Sequence, residues 1–387
     1  MPAAEVLART EALIPVLRER AAAVDERREM LPASVADLKA SGAARLYQPV
    51  RFGGCEADMQ SGVKALSAIG RGCGSSAWCM VQHLTHNFML SQWPDQGQHD
   101  IWDPDPACLV SGIFIPSRGQ ARSTDGGYIV SGRWPLVSGV NTSDWVLFAA
   151  MVDDGDVGTH RYFALPRNQV EIIDTWRSVG LKGSASNDVA VSKVFVPEHR
   201  TLSIKHLKGG PTPGNAFNTS PLYRTPSYCI FGVYIGAAVL GIAEAGLELY
   251  LEGARRRTTL TSGQKVGGYP TQQVKVAEAS AAIAAARQLL FAICDEATAL
   301  AARDALPDDE QRAKFRSHAA FAGRLAARAV ELVWDAGASS SVYDDNPMSR
   351  IFRDMSVASR HFTVNWDANG STHGRVLMGF ELGDPTL

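Results

Sequence analysis

The period of the apolar residues changes twice along this chain, and few folds survive that double change. From about residue 3 to 105 the text is Ala-rich and helical in spacing, interrupted at Pro32, at Pro49, at Phe52-Gly53-Gly54 and at Trp93-Pro94-Asp95. Between about 108 and 200 it turns into short alternating runs: Tyr128-Ile-Val-Ser, Trp145-Val-Leu-Phe-Ala-Ala, Tyr162-Phe-Ala-Leu, Val170-Glu-Ile-Ile, Val189-Ala-Val and Val194-Phe-Val. The Asp125-Gly126-Gly127 and Asp154-Gly155 turns between them suit hairpins. Residues 205–221, with three prolines and three glycines, read as a linker, after which long Ala/Leu/Arg helices run to about 370. The expectation is an α+β chain: a helical domain at 1–106, a small β-domain at 107–204 and a helical bundle at 205–387.

Composition narrows the partners. A chain of 387 residues is long enough for two or three domains, at roughly one per 100–200 residues. Its 38 basic and 40 acidic residues leave a formal net charge of -2, which gives no electrostatic reason to expect nucleic acid or an anionic membrane. Six cysteines (Cys55, Cys73, Cys79, Cys108, Cys229, Cys294) lie scattered without a CxxC pair, as expected of reduced thiols. The first residues lack the basic segment and apolar run of a signal peptide, and no stretch reaches about 18 uninterrupted apolar residues. A cytoplasmic protein is expected.

Several chemistries lack a carrier. No GxGxxG follows a strand, and there is no Walker loop and no GxSxG elbow. His83 and His86 stand three apart on a probable helix, but without the zincin glutamate they make a weak metal pair, so no metal is expected. A more pointed feature is Asn346-Pro-Met-Ser-Arg-Ile-Phe-Arg-Asp354, followed by His361, inside what reads as one continuous helix. On it Arg350, Asp354, Val357 and His361 fall on one stripe, placing an imidazole among charged groups on a packable face. The alternative is a core histidine beside a surface Arg350–Asp354 ion pair.

Two segments resemble a known superfamily. Ser178-Val-Gly-Leu-Lys-Gly-Ser-Ala-Ser-Asn-Asp-Val-Ala-Val-Ser-Lys-Val-Phe-Val-Pro197 is similar to the β-domain signature of the acyl-CoA dehydrogenases. Leu38, Gly42, Pro49 and the Phe52-Gly53-Gly54 turn resemble their amino-terminal domain. The resemblance implies a helical domain, a β-barrel and a four-helix bundle, with a flavin between barrel and bundle and a homotetramer as the working form. The dehydrogenases use a glutamate as base, whereas the corresponding Asn369-Gly-Ser-Thr-His-Gly-Arg375 has no carboxylate. The Asn-Pro-x-x-Arg-x-x-Arg-Asp motif with His361, Asn365 and Asp367, together with Gly74-Ser75-Ser76-Ala77-Trp78 and His86, instead resembles the oxygenase components of two-component, reduced-flavin-dependent monooxygenases.

That resemblance implies reduced FMN or FADH2 delivered by a separate NAD(P)H-dependent reductase, O2 as co-substrate, and oxygen transfer to a small phenolic or heteroaromatic compound through a flavin C(4a)-hydroperoxide. Ser138, in Trp134-Pro-Leu-Val-Ser-Gly139, is expected at the flavin ring with Trp134 and Gly139, although Ser138 also suits an ordinary turn and Trp134 plain core. His361 is expected over the reactive face, acting on the peroxide, the reduced flavin or a phenol. His86 and Trp78 are expected at the substrate. Arg257, in Arg255-Arg-Arg-Thr-Thr259, resembles the family arginine that reaches a neighbour's cofactor, and Ser339, Ser340 and Arg224 are further cofactor candidates. Nitrogen or sulfur oxygenation, a dehydrogenase with a displaced base and a catalytically silent binding protein are the alternatives.

Overall fold

The structure, a computed structural model, describes residues 1–153, 160–259 and 263–384. Six helices open the chain: α1 (Ala3–Ala12), α2 (Ile14–Arg27), α3 (Pro32–Ser41), α4 (Met59–Gly72), α5 (Gly74–Leu90) and α6 (Asp95–Trp102). Local chemistry sets their ends. Pro32 starts α3, where its missing N–H costs nothing, and Gly42 ends it at φ +82°. Asp58 caps α4 by accepting the Ser61 amide at 2.9 Å. Every residue of α5 is buried. A helix without a solvent face must satisfy its polar side chains inside the protein, so Trp78, His83 and His86 all need partners there.

Among the described residues eight strands follow: β1 (Val110–Ile113), β2 (Gly119–Thr124), β3 (Gly127–Val137), β4 (Trp145–Asp153), β5 (His160–Pro166), β6 (Glu171–Ile173), β7 (Asn187–Pro197) and β8 (Thr201–Ser203). They form one mixed sheet in the order β6-β7-β3-β2-β4-β5-β8, with β1 added alongside β4. Asp125-Gly126 closes the β2–β3 hairpin, with Gly126 at φ +74°; the Asp154-Gly155 turn lies outside the described residues. Tyr128 of β3 and Phe163 of β5, with β2 and β4 between them in that order, bring their rings to 5.4 Å. The sheet therefore curls around its own core. The runs at 189–191 and 194–196 prove to be one strand, β7, whose register shifts against β3 near Lys193, at φ +52°.

After the short α7 (Ile204–Leu207) come three long helices, α8 (Ser227–Arg256), α9 (Pro270–Ala302) and α10 (Asp309–Ala336), then α11 (Pro347–Ala358) and α12 (Trp366–Leu377). The fourth place of the bundle is shared by α11, packed against α8 and α10, and α12, packed against α10. Although 1–106 and 205–387 are far apart in sequence, their helices share one hydrophobic core, while the sheet keeps its own. Glycines allow the joint: a Cβ on Gly70 of α4 would lie 2.9 Å from Gly241 Cα of α8. The apolar windows of α8 and α9 are long enough to cross a membrane by length and composition, and that of α8 is 89% buried inside the protein against 28% for α9.

One expectation fails here. The helix over 346–361 stops at Ala358, and His361 sits in extended backbone (φ −61°, ψ 138°) as the cap of the 3-10 turn Phe362–Val364. Its Nδ1 accepts the Thr363 amide, a local bond that competes with continuing the helix. The Arg350–His361 stripe therefore does not exist as one helical face. The alternative Arg350–Asp354 surface pair fails as well, because Asp354 is buried and its Oδ1 accepts the Leu181 amide at 2.6 Å.

Candidate active site

Between the curled sheet and the helices lies a cavity of about 450 Å3, within the usual size range of small-molecule sites. Its sheet-side wall comes from the end of β3. There the register against β7 shifts between Trp134 and Val137, Leu136 takes φ +65°, and the chain turns at Gly139, φ +72°, whose amide donates to Ser184 O at 2.7 Å. This irregular turn presents Ser138. Its Oγ accepts from Trp78 Nε1 at 3.1 Å and pairs with Ser186 Oγ at 2.7 Å, which in turn pairs with Ser184 Oγ at 2.8 Å. Trp78, Ser138 and Ser186 all line the cavity, with Trp176 and Phe231 as further walls. Among the described lining residues there is no carboxylate, and Arg360 is the one guanidinium.

His361 faces this wall. Its ring lies 5.6 Å from that of Trp78 and 6.1 Å from that of Phe231. Protein packed around the imidazole, and secondarily the Arg316 charge, lower its pKa to about 4, so the ring is neutral near pH 7. Because Nδ1 accepts the Thr363 N–H, and lies 2.9 Å from Thr363 Oγ1, the neutral ring carries its proton on Nε2. The cavity thus receives an N–H donor from this side.

His86 has the opposite polarity. Nδ1 of His86 and Nδ1 of His83 each lie 3.1 Å from Val110 O, a carbonyl with two lone pairs that fixes both rings with the proton on Nδ1. Each Nε2 is then a buried acceptor without a hydrogen-bond partner among the described residues. Burial, resisted in part by the Val110 bond, lowers His86 to about 3 and His83 to about 4. The two Nε2 atoms face different glycines, His83 towards Gly139 and His86 towards Gly112, so they do not converge on one ion. The His86 ring lies one layer behind the main cavity, in a smaller cleft that shares Phe114 and Phe231 with it.

The remaining candidates separate. Trp134 does not wall the cavity: it is fully buried in the sheet core, its Nε1 donating to Ala149 O at 2.8 Å and its ring 4.4 Å from that of Phe148. An inward-facing indole on a curled sheet fills the core first. Gly139 backs onto α5 rather than the cavity, because a Cβ there would meet Cys79 and His83 at 3.3 Å. Arg257 and Ser340 do meet, Nη1 to Oγ at 2.8 Å, with Ser339 exposed beside them. That cluster lies past the end of α8 opposite to Phe231, about 39 Å away at the rise of an α-helix. Arg224 pairs loosely with Asp304 at 3.7 Å and does not line the cavity. Ser184, Ser186, Trp176 and Arg360 were not singled out from the sequence. The two serines were inside the Ser178–Pro197 signature, so their signal was present; Trp176 and Arg360 reach the wall only through tertiary packing.

Comparison with known proteins agrees with this architecture. Residues 233–366 match the family model described as acyl-CoA dehydrogenase, C-terminal domain. The chain is 33% identical over 356 residues to the oxygenase subunit HsaA of the flavin-dependent monooxygenase of Rhodococcus jostii, covering 91% of this chain and 93% of that protein. It is 30% identical to the oxygenase component of an FADH2-dependent resorcinol hydroxylase of a Rhizobium species, covering 98% and 95%. The crystal structure of the 3-HSA hydroxylase of Rhodococcus sp. RHA1 superimposes with a TM-score of 0.93 at 30% identity, covering 99% of each chain. By identity over nine-tenths of its length, and by a fold shared from end to end, the chain belongs to the oxygenase components of flavin-dependent monooxygenases, built on the acyl-CoA dehydrogenase fold.

Proposed function

We propose that the cavity holds reduced flavin, FMN or FAD, against the Ser138 wall, next to a small phenolic or heteroaromatic substrate that is hydroxylated with one atom of O2. One observation carries the reading: His361, a donor at Nε2, and the paired hydroxyls of Ser138 and Ser186 line the same aromatic-walled cavity, whose described lining offers no carboxylate base. The cavity fits a flavin ring in volume, in its aromatic walls and in its polar edge. Bound reduced flavin supplies the oxygen-activating chemistry. The protein supplies the surroundings. Ser138, held from behind by Trp78 and Ser186, binds the ring edge without having to reorganise. His361 holds a proton at Nε2 for the reacting oxygen or for the anionic reduced ring, and the aromatic walls keep water out. His86 offers its bare Nε2 to a substrate hydroxyl beside Gly112, which lines the cavity. The missing carboxylate argues against dehydrogenation, and the names of the relatives, among them a resorcinol hydroxylase, favour an aromatic substrate.

The full assembly in this reading is a homotetramer supplied by a diffusing NAD(P)H-dependent flavin reductase in the cytoplasm. Two observations support the oligomer. Arg257 and Ser340 are too far along α8 to reach their own chain's cavity, so they suit the flavin phosphate of a second copy. The apolar but exposed α9 also needs covering. To test the function, protein loaded anaerobically with reduced FMN or FADH2 is mixed with O2 and a panel of phenols. Hydroxylated product is expected with at least one phenol, and flavin oxidation that yields only hydrogen peroxide with all of them counts against it. Native mass measurement tests the tetramer.

A further inference from the structure

We propose that the Arg353–Asp354 pair of α11 is a positioning strut that fixes the serine wall against His361. The inference rests on the reading of the cavity as the oxygenation site. Its starting point is the segment Gly180–Ser186, which packs against α11 and α2, delivers Ser184 and Ser186 to the hydroxyl row and leads into β7. Two residues of this short segment without the freedom of glycine, Leu181 at φ +49° and Ala185 at φ +43°, stand in the left-handed region. Such backbone persists only where its surroundings hold it.

The holding groups are those of α11. Asp354 Oδ1 accepts the Leu181 N–H at 2.6 Å, and Arg353 Nη1 donates to Val179 O at 2.8 Å while its Nη2 reaches Asp25 of α2 at 2.9 Å. The backbones also touch: a Cβ on Gly180 would lie 2.0 Å from Arg353 O. The carbonyl of Leu181 is taken by Trp176 Nε1 at 3.0 Å, so both backbone groups of that residue are tied, one to the strut and one to a cavity wall. From there the path is short. Ser184 O receives the Gly139 amide, and Ser186 Oγ meets Ser138. Seven residues after Asp354, and three past the last residue of α11, the chain reaches His361. One dipeptide therefore touches the supports of both walls. The Arg-Asp step of the motif, which otherwise has no task in the chemistry, acts through these contacts and meets no reacting atom.

Hydrogen exchange on the intact protein and product formation separate positioning from general stability. In Asp354→Ala, exchange of amides 178–186 is expected to rise by roughly tenfold or more, with little change in the sheet core. Hydrogen peroxide released per O2 consumed should rise several-fold in the flavin-loaded protein. Asp354→Asn, which keeps an acceptor for Leu181, should restore both to within about twofold of wild type. Arg353→Ala, which frees Val179 O and leaves Asp354 in place, should move both readouts the same way and serves as the test where Asp354→Ala does not fold. Unchanged exchange at 178–186, an even rise across the whole chain, or local loosening without loss of coupling would each overturn the strut. A local exchange effect in a protein whose wild type oxygenates no phenol would overturn the proposed function instead.

Discussion

The two histidine sites of this molecule contrast in what they offer. His86, on a helix buried on every side, has its proton drawn to Nδ1 by the Val110 carbonyl and keeps a bare acceptor. His361, in a turn between two helices, has Nδ1 filled by its own Thr363 amide and keeps a donor. Both rings are neutral at pH 7, with pKa values lowered by burial to about 3 and about 4. Equal charge states therefore hide opposite roles: a neighbouring carbonyl makes one ring an acceptor, and a neighbouring amide makes the other a donor. An acceptor suits a substrate hydroxyl, and a donor suits an oxygen that is gaining charge.

The contrast can be broken from the His361 side first. His361→Ala is expected to lower the rate of product formation by roughly 10²–10⁴, the usual range for a positioned acid or base, while reduced flavin still binds; stopped-flow product analysis reads this. Ser138→Ala leaves Trp78 Nε1 and Ser186 without their shared partner. At about 1–3 kcal/mol for such a loss, coupling should fall by roughly tenfold or more, read as peroxide against product. His86→Phe should act differently. It is expected to raise KM for phenols by roughly tenfold through loss of one hydrogen bond, with a smaller effect on kcat and none on substrates that have no hydroxyl.

The smallest effect concerns stability against pH. For His86 and His361 the folded pKa lies below the unfolded value of 6.5, so the unfolded chain takes up protons first on acidification. Their contribution is complete above pH 6.5 and is lost as the pH falls towards 4 and 3. Asp354 has the opposite sign: burial, opposed by the Leu181 N–H bond and by Arg350 and Arg353 and reinforced by Asp25, raises its carboxyl from 3.8 to about 7. Its contribution is complete below 3.8 and is lost as the pH rises through 7. Melting temperatures should accordingly fall less on acidification in His86→Phe than in wild type, and less on the alkaline side of neutrality in Asp354→Asn.

Much of the architecture was legible because it follows from periodicity. The two changes of period marked where helices give way to strands and return, and the Ser178–Pro197 signature marked the segment that carries Ser184 and Ser186. Less legible was whatever depends on which neighbour wins a group. Trp134 read as a flavin wall because it precedes Ser138, yet its position on β3 points it into the sheet core against Phe148. The turn after it, with Leu136 at φ +65°, is what brings Ser138 to the cavity. His361 read as a helical residue because its spacing fits, and a single amide at Thr363 decided otherwise. Strands β1, β2 and β8 were missed because Val110-Ser-Gly-Ile113, Gly119-Gln-Ala-Arg-Ser-Thr124 and Thr201-Leu-Ser203 carry too few apolar residues to show alternation.

The most direct test of the central claim is the ratio of hydroxylated product to O2 consumed, measured for wild type and His361→Ala, each loaded with reduced flavin and mixed with O2 and a phenol. The ratio should be high in wild type and collapse in the variant, with the missing oxygen recovered as hydrogen peroxide. An unchanged ratio in His361→Ala would contradict it, because the donor at Nε2 would then have no part in directing oxygen to the substrate.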